Sequence, residues 1–204
     1  MKFRIRQAEK DALCRNVPAF KTIAEQAELS EFECDQDLFH ALALSIVSQQ
    51  LSLRAADAVF RKLESSLKCI DAERILAASP EDLRACGLSF RKIEYLKGIA
   101  AAKLAGHLEY EDFAKKSDEE AIEELVKLKG IGVWTAEMLL IFSFGRPDVL
   151  SFRDLGIRKG IMLLNGWDDL DEARFETFRR RCSPHGTLAS LLLWKIKGGG
   201  LKLS

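Results

Sequence analysis

Between Asp37 and Gln50 the chain carries Leu38, Phe39, Leu42, Leu44, Ile46 and Val47, so a helix drawn through this stretch is apolar nearly all round. Such a helix has no face to offer water and must be wrapped by other elements. The periodicity elsewhere says that those elements are helices as well. Residues 52–67 are amphipathic, and 91–108, 118–127, 131–144, 155–164, 172–180 and 187–197 keep the helical spacing. Ser79-Pro80-Glu81-Asp82 reads as a further helix start, with serine as cap, proline in the first turn and acids after it. Only Phe3-Arg4-Ile5 alternates like a strand, and it is too short to count as one. The fold class is therefore all-α, roughly ten helices on short loops. Two lobes are expected: 1–36 with 145–204 as a terminal lobe, and 37–144 as a central lobe ending in a helical hairpin around 118–144. The cleft between such lobes is the default binding site. The Gly198-Gly199-Gly200 tail is expected to fray.

Charge enters next, because it bears on the partner. With Lys+Arg 31 against Asp+Glu 31 the chain is neutral overall, which counts against bulk attraction to nucleic acid. The charges are uneven, however: acidic runs lie at 25–37 and 118–124, basic ones at 2–6, 153–159, 179–181 and 195–202. A cationic face on a neutral protein is compatible with this pattern. Five cysteines, odd in number and without a C-x-x-C pair, fit neither zinc nor an iron–sulfur cluster and point to reduced thiols. The N-terminus lacks the apolar core of a signal peptide, and no run reaches membrane-spanning length. An intracellular protein is expected, cytoplasmic, nucleoid-associated or nuclear, neither secreted nor membrane-bound. His40, His107 and His185 form no ligand spacing, and His40 reads as a satisfied core residue.

Two local features carry the chemistry. In Leu128-Lys129-Gly130-Ile131-Gly132-Val133-Trp134-Thr135, Gly130 and Gly132 can take positive φ and let the chain reverse between two helices. Their missing side chains let backbone N–H groups approach an anion, and the N-terminus of the second helix adds partial positive charge. A phosphate seat of this kind needs no net protein charge; a plain turn between helices is the ordinary alternative. The second feature is Asp154, in Phe152-Arg153-Asp154-Leu155-Gly156. From Gly132 to Phe144 a helix rises roughly 20 Å; Gly145-Arg146-Pro147 ends it, and the stretch to Arg153 can span about 30 Å if extended. That reach could return Asp154 to the hairpin end near Trp134, where it caps the next helix and presents a carboxylate. Asp148, just after Pro147, is the competing acid and reads as turn chemistry.

In this order, the motifs resemble the helix–hairpin–helix (HhH-GPD) DNA glycosylases, in particular the 3-methyladenine DNA glycosylase II type. The likeness runs from about Asp37 to Trp194 and rests on Ile46-Val47-Ser48-Gln49-Gln50-Leu51-Ser52, Gly87-Leu88-Ser89-Phe90-Arg91-Lys92, the hairpin, 148–158 and 189–194. It implies base flipping in damaged double-stranded DNA, the first step of base excision repair, with Asp154 as the catalytic aspartate. Gln50 falls at the family's wedge position, with Leu88 assisting from a second loop; an exposed helix-end amide and a core leucine are the ordinary readings. Lys129, Gly130, Gly132, Thr135, Arg153 and Arg158 are the expected DNA contacts. The main-chain carbonyls of Val126, Leu128 and Ile131 match a family site for an alkali ion, Na+ or K+; no other cofactor is required. Trp134 stands where lyase-type relatives carry a nucleophilic lysine, so simple hydrolysis is implied, and the four-cysteine cluster of other branches is missing. Trp134 and Trp194 match aromatic positions around an alkylpurine pocket, with Met138 where some relatives place a stacking tyrosine. Trp167 reads as a loop anchor. Ser183-Pro184-His185-Gly186 lacks the arginine of the family's C-terminal segment. A monomer is expected. Two other readings stay open: a glycosylase for uracil, hypoxanthine or alkylated cytosine, and a non-catalytic hairpin module that binds duplex.

Overall fold

The computed structural model describes residues 1–29 and 31–198, so Gly199 and Gly200 of the expected frayed tail lie outside the described residues. The elements run β1 (Lys2–Arg4), α1 (Gln7–Asn16), a 3-10 turn (Pro18–Phe20), α2 (Lys21–Gln26), β2 (Glu31–Glu33), α3 (Leu38–Ser48), α4 (Leu53–Leu67), α5 (Ala72–Ala77) and α6 (Pro80–Ala85). They continue with α7 (Phe90–Leu104), α8 (Tyr110–Ala114), α9 (Asp118–Leu125), α10 (Val133–Phe142), α11 (Leu155–Asn165), α12 (Glu172–Cys182) and α13 (Gly186–Lys197). The chain is mostly helical, as the periodicity predicts. Thirteen α-helices rather than ten appear among the described residues. The additions include α5 and α8, six and five residues long, too short for a periodic signal. The N-terminal alternation does form a strand: Phe3 faces Phe32 in an antiparallel pair, their rings stacked with centroids 4.9 Å apart.

The chain divides into two compact units, Met1–Cys34 with everything from Leu140 onward, and Asp35–Leu139; the division falls inside α10. In the first unit, α13 is wrapped by its neighbours, burying Thr187, Leu188, Ala189, Ser190, Leu192, Leu193 and Ile196. Helix α11 packs closely along it. A Cβ on Gly160 would lie 2.7 Å from the Leu193 carbonyl oxygen, so only glycine permits this approach. Leu13, Phe20, Ile23 and Phe178 complete that core.

In the second unit α3 is the buried centre, packed on α4 and α7, with Leu38, Phe39, Leu42, Ala43, Ile46 and Val47 all withdrawn from water. Leu44 is the exception, at 42% exposed. Side-chain caps start the helices wherever serine or aspartate stands in front: Asp37 accepts from the His40 N–H at 3.0 Å and Ser79 from the Asp82 N–H at 3.0 Å. Ser117 and Glu120 form a reciprocal capping box on α9. Each such cap contributes about 1 kcal/mol. Among the described residues no helix is long and apolar enough to cross a membrane.

Candidate functional site

Asp154 caps α11 as other aspartates cap their helices, with Oδ1 accepting the Ile157 N–H at 2.7 Å. It differs from them in burial. Asp37 and Asp171 are exposed and Asp71 is half-buried, whereas Asp154 keeps 8% of its surface and is the only charged side chain buried among the described residues. A cap does not require this, and desolvating a carboxylate is expensive unless donors compensate it. A second donor is supplied by Trp194, whose indole Nε1–H reaches the same Oδ1 at 3.0 Å. Phe142 lies along the Trp194 ring, centroids 5.8 Å apart and planes 20° from parallel. A Cβ on Gly156 would come within 2.9 Å of Trp194 Cδ1, so glycine at the second position of α11 leaves the indole its place.

The segment that delivers Asp154 is fastened to α13. Asp148 accepts from Ser183 Oγ at 2.6 Å and from the Gly186 N–H at 2.9 Å, closing the N-terminus of α13. Thr187 Oγ1 donates to the Arg146 carbonyl at 2.6 Å and accepts from the Val149 N–H at 3.2 Å. Ser190 Oγ donates to the Val149 carbonyl at 2.8 Å. Asp148, the competing acid of the sequence reading, is thus a clamp between loop and helix, and the residues that sequence reasoning missed are Thr187 and Ser190. Both look like ordinary small polar residues in an apolar helix, and the only signal was that the stretch from Thr187 to Leu193 carries no charged residue to mark a solvent face.

The hairpin, in the other unit, closes with the Ile131 N–H on the Leu128 carbonyl at 3.1 Å, and the first α10 bond follows from Ala136 N–H to Gly132 O at 3.0 Å. Gly130 has φ +88°, and a Cβ there would lie 2.2 Å from the Tyr95 ring, so both conformation and space require glycine. The expectation of positive φ is corrected for Gly132: its φ lies outside the left-handed range, and a Cβ there would meet nothing within 4 Å. Its contribution is the open space beside the α10 N-terminus, whose first N–H groups have no partner within the helix. Lys129 is exposed and ion-paired to Glu94 at 2.8 Å.

Next to the hairpin, Gln50 is exposed and takes φ +58°, a left-handed conformation costing a non-glycine residue about 1–2 kcal/mol. Gln49 Nε2 donates to the Gly130 carbonyl at 2.8 Å, and Lys92 Nζ donates to the carbonyls of Val47 and Gln49, each at 2.7 Å. Sequence reasoning gives neither Gln49 nor Lys92 a role, although both sit inside the motifs that carry the resemblance.

Other candidates sort by exposure. Leu88 is 1% exposed, and the expectation that its side chain assists the wedge is corrected, because a group enclosed in the core has almost no surface to offer; Thr135 is 6% exposed, which leaves its main chain at the start of α10 as what it can present. Trp134 is 43% exposed at the start of α10, and Met138 is half-buried one turn later. Arg153 is exposed, whereas Arg158 lies over the Phe152 ring at 4.8 Å, its Nε enclosed without an acceptor. Two of the basic runs are spent internally: Lys2 pairs with Glu31 at 2.6 Å, Arg179 with Glu176 at 2.9 Å, and Arg181 donates to the Asn16 carbonyl at 2.9 Å. His40 is satisfied by Asp35 at 2.6 Å but at the surface rather than in the core. Trp167 packs against the first unit's core beneath Arg174, as a loop anchor should.

Residues 43–184 match the family model described as HhH-GPD superfamily base excision DNA repair protein. DNA-3-methyladenine glycosylase 1 of Schizosaccharomyces pombe is 39% identical over 162 residues, 77% of this chain and 71% of that protein. The crystal structure of a DNA-3-methyladenine glycosidase from Bacillus halodurans superposes with TM-score 0.85 at 32% identity, covering 97% of this chain and 93% of that one. The S. pombe 3-methyladenine DNA glycosylase in complex with abasic DNA superposes with TM-score 0.81 at 32% identity, covering 94% and 97%.

Proposed function

The chain belongs to the HhH-GPD superfamily of base-excision DNA repair proteins, and we propose from that premise that it is a monofunctional glycosylase for alkylated bases of the 3-methyladenine type in duplex DNA. The observation that carries the catalytic assignment is Asp154, a carboxylate only 8% exposed yet held by two N–H donors on one oxygen. A positioned carboxylate of this kind suits the reaction. An N3- or N7-alkylated purine already bears positive charge, so the C1′–N bond breaks with its electron pair going to the base, which leaves neutral. The sugar becomes oxocarbenium-like, and a nearby carboxylate stabilises that charge. Water then adds to C1′ and loses a proton, Asp154 serving to orient it. The products are a free base and an abasic site in an unbroken strand. Trp134 carries no amine to form a Schiff base, which supports hydrolysis without strand cleavage.

The remaining roles follow the same reading. The open Gly132 side of the hairpin and the α10 N-terminus seat a DNA phosphate. Gln50 fills the gap left by the extruded nucleotide, whose unstacking costs a few kcal/mol and least at a damaged pair. The exposed indole of Trp134 attracts a cationic purine by about 0.5–2 kcal/mol, with Met138 as an adaptable wall. The carbonyls of Val126, Leu128 and Ile131 suit an alkali ion: all are neutral oxygens, and Leu128 O keeps a second lone pair beside the Ile131 N–H. Such an ion, held by these carbonyls, would add positive charge to the hairpin. The protein is read as an intracellular monomer on DNA.

The test is base release from methylated duplex. Asp154→Asn is expected to lose at least a thousandfold in single-turnover rate while keeping its affinity for an abasic-site analogue within a fewfold. Chromatography of the freed bases identifies the substrates, and strand breaks should appear only after alkali. Wild-type protein that binds duplex but frees no base from a broad lesion panel would instead be a binding module; release of uracil or hypoxanthine but no methylated purine would move the lesion class.

A further inference from the structure

Lys92 occupies an awkward place for a lysine. It stands in the first turn of α7, where the helix dipole disfavours a cation, and it is half-buried, with burial pushing its amine below the ordinary lysine range. Both conditions cost stability, and neither is relieved by a carboxylate, since the acceptors at its amine are main-chain oxygens. What it holds is the exit of α3: the carbonyls of Val47 and Gln49, each 2.7 Å from Nζ. Both carbonyls lie immediately before Gln50, which adopts φ +58°. A strained residue of that kind persists only where its surroundings over-determine it. The other restraint is Gln49 itself, whose amide reaches the Gly130 carbonyl across 81 positions of sequence at 2.8 Å. Gly130 is in turn pressed against Tyr95 on α7, one turn after Lys92. The strained turn, the hairpin and the start of α7 therefore form one closed circuit within a single unit.

We propose that Lys92 and Gln49 are positioning residues: together they lock Gln50 in its left-handed conformation and tie it to the hairpin, so that phosphate capture and nucleotide extrusion occur in fixed register. Neither touches the damaged base in this scheme. The proposal rests on Gln50 acting as the wedge, and the experiment separates the two ideas. Undamaged duplex binding uses the hairpin backbone and should be indifferent to the conformation of Gln50; binding to an abasic-site analogue, and unstacking of the target, should depend on it. Lys92→Met keeps the length and removes the donors.

Expected for Lys92→Met is unchanged affinity for undamaged duplex, about a tenfold loss of preference for duplex carrying a tetrahydrofuran abasic analogue, and loss of the fluorescence rise from 2-aminopurine placed at the target. Gln49→Leu should act in the same direction. The second variant Lys92→Met with Gln50→Asn should recover part of the preference, because asparagine tolerates left-handed backbone and keeps an amide. A merely structural lysine would show no such rescue. If Gln50→Ala leaves the abasic preference intact, the wedge reading fails and the proposal with it. If Gln50→Ala is defective while both Lys92→Met and Gln49→Leu, folded by circular dichroism, behave as wild type, the lock alone is overturned. Should Lys92→Met fail to fold, Gln49→Leu and Lys92→Arg decide by the same readings; absence of any change in abasic preference in both overturns the proposal.

Discussion

Two N–H donors reach Asp154 Oδ1 from different sources, one from the first turn of the helix it caps and one from Trp194, 40 positions later. The local donor comes with any aspartate cap; the indole is additional. Family likeness puts Trp194 among the aromatic residues of the base pocket, and its N–H on the carboxylate is not legible in the sequence because nothing local links residues 154 and 194. With Phe142 stacked along the ring, the indole is fixed at the angle that serves Asp154. Trp194→Phe keeps the aromatic surface and removes the donor. A hydrogen bond to a charged group contributes about 1.5–3 kcal/mol, so the single-turnover excision rate should fall roughly ten- to hundredfold with little change in KM. If Trp194 acted through its ring face alone, phenylalanine would substitute with a small effect, and a rate within twofold of wild type would rule out the donor role.

The helix starts were readable because serine and aspartate caps leave a local mark: Ser79, Asp37 and Asp154 all stand one residue before the helices they cap. The hairpin was readable for the same reason, through Gly130. The path from α10 to Asp154 was not. Chain length set only an upper limit on reach, while the actual course is dictated by α13, which grips the segment through Asp148, Thr187 and Ser190. Those contacts join residues about forty positions apart and depend on burial that no local pattern encodes. Leu88 failed as a DNA contact on similar grounds, since a motif match cannot tell an inward leucine from an outward one. At this scale, Ser190→Ala removes the side-chain donor that satisfies the Val149 carbonyl and adds no bulk. A buried acceptor left unsatisfied costs about 1–3 kcal/mol, which for a chain of this size lowers Tm by roughly 2–4 °C per kcal/mol. Calorimetry should show that loss together with a reduced excision rate at fixed folded fraction, because the delivery of Asp154 loosens. An unchanged Tm would mean that another group takes over the carbonyl.

Thirty-one basic and thirty-one acidic side chains leave no net charge, an unusual balance for a protein whose partner is a polyanion. The structure reaches that balance locally, by pairing: Lys2 with Glu31, Lys103 with Glu109, Arg174 with Asp169, Arg179 with Glu176, and Lys129 with Glu94, all at 3.0 Å or less. In the function proposed above, phosphate recognition falls to groups whose field does not appear in the charge sum, namely the glycine hairpin and the α10 N-terminus. Weak long-range attraction is tolerable for an enzyme that must leave undamaged sites quickly, since counterion release would otherwise hold it everywhere on DNA. Glu94 is the point at which this balance can be shifted, because its partner Lys129 sits on the hairpin itself. Glu94 is exposed, and such a surface pair contributes little to stability, so Glu94→Gln should fold as wild type. Releasing Lys129 should tighten binding to undamaged duplex several-fold and steepen the fall of log K with log salt by up to about one, with the excision rate on saturating DNA unchanged. Lys129→Ala should cancel the effect in the double variant. Identical salt slopes for wild type and Glu94→Gln would mean that Lys129 does not face the phosphates, and the charge-neutral hairpin would have to hold DNA by its backbone alone.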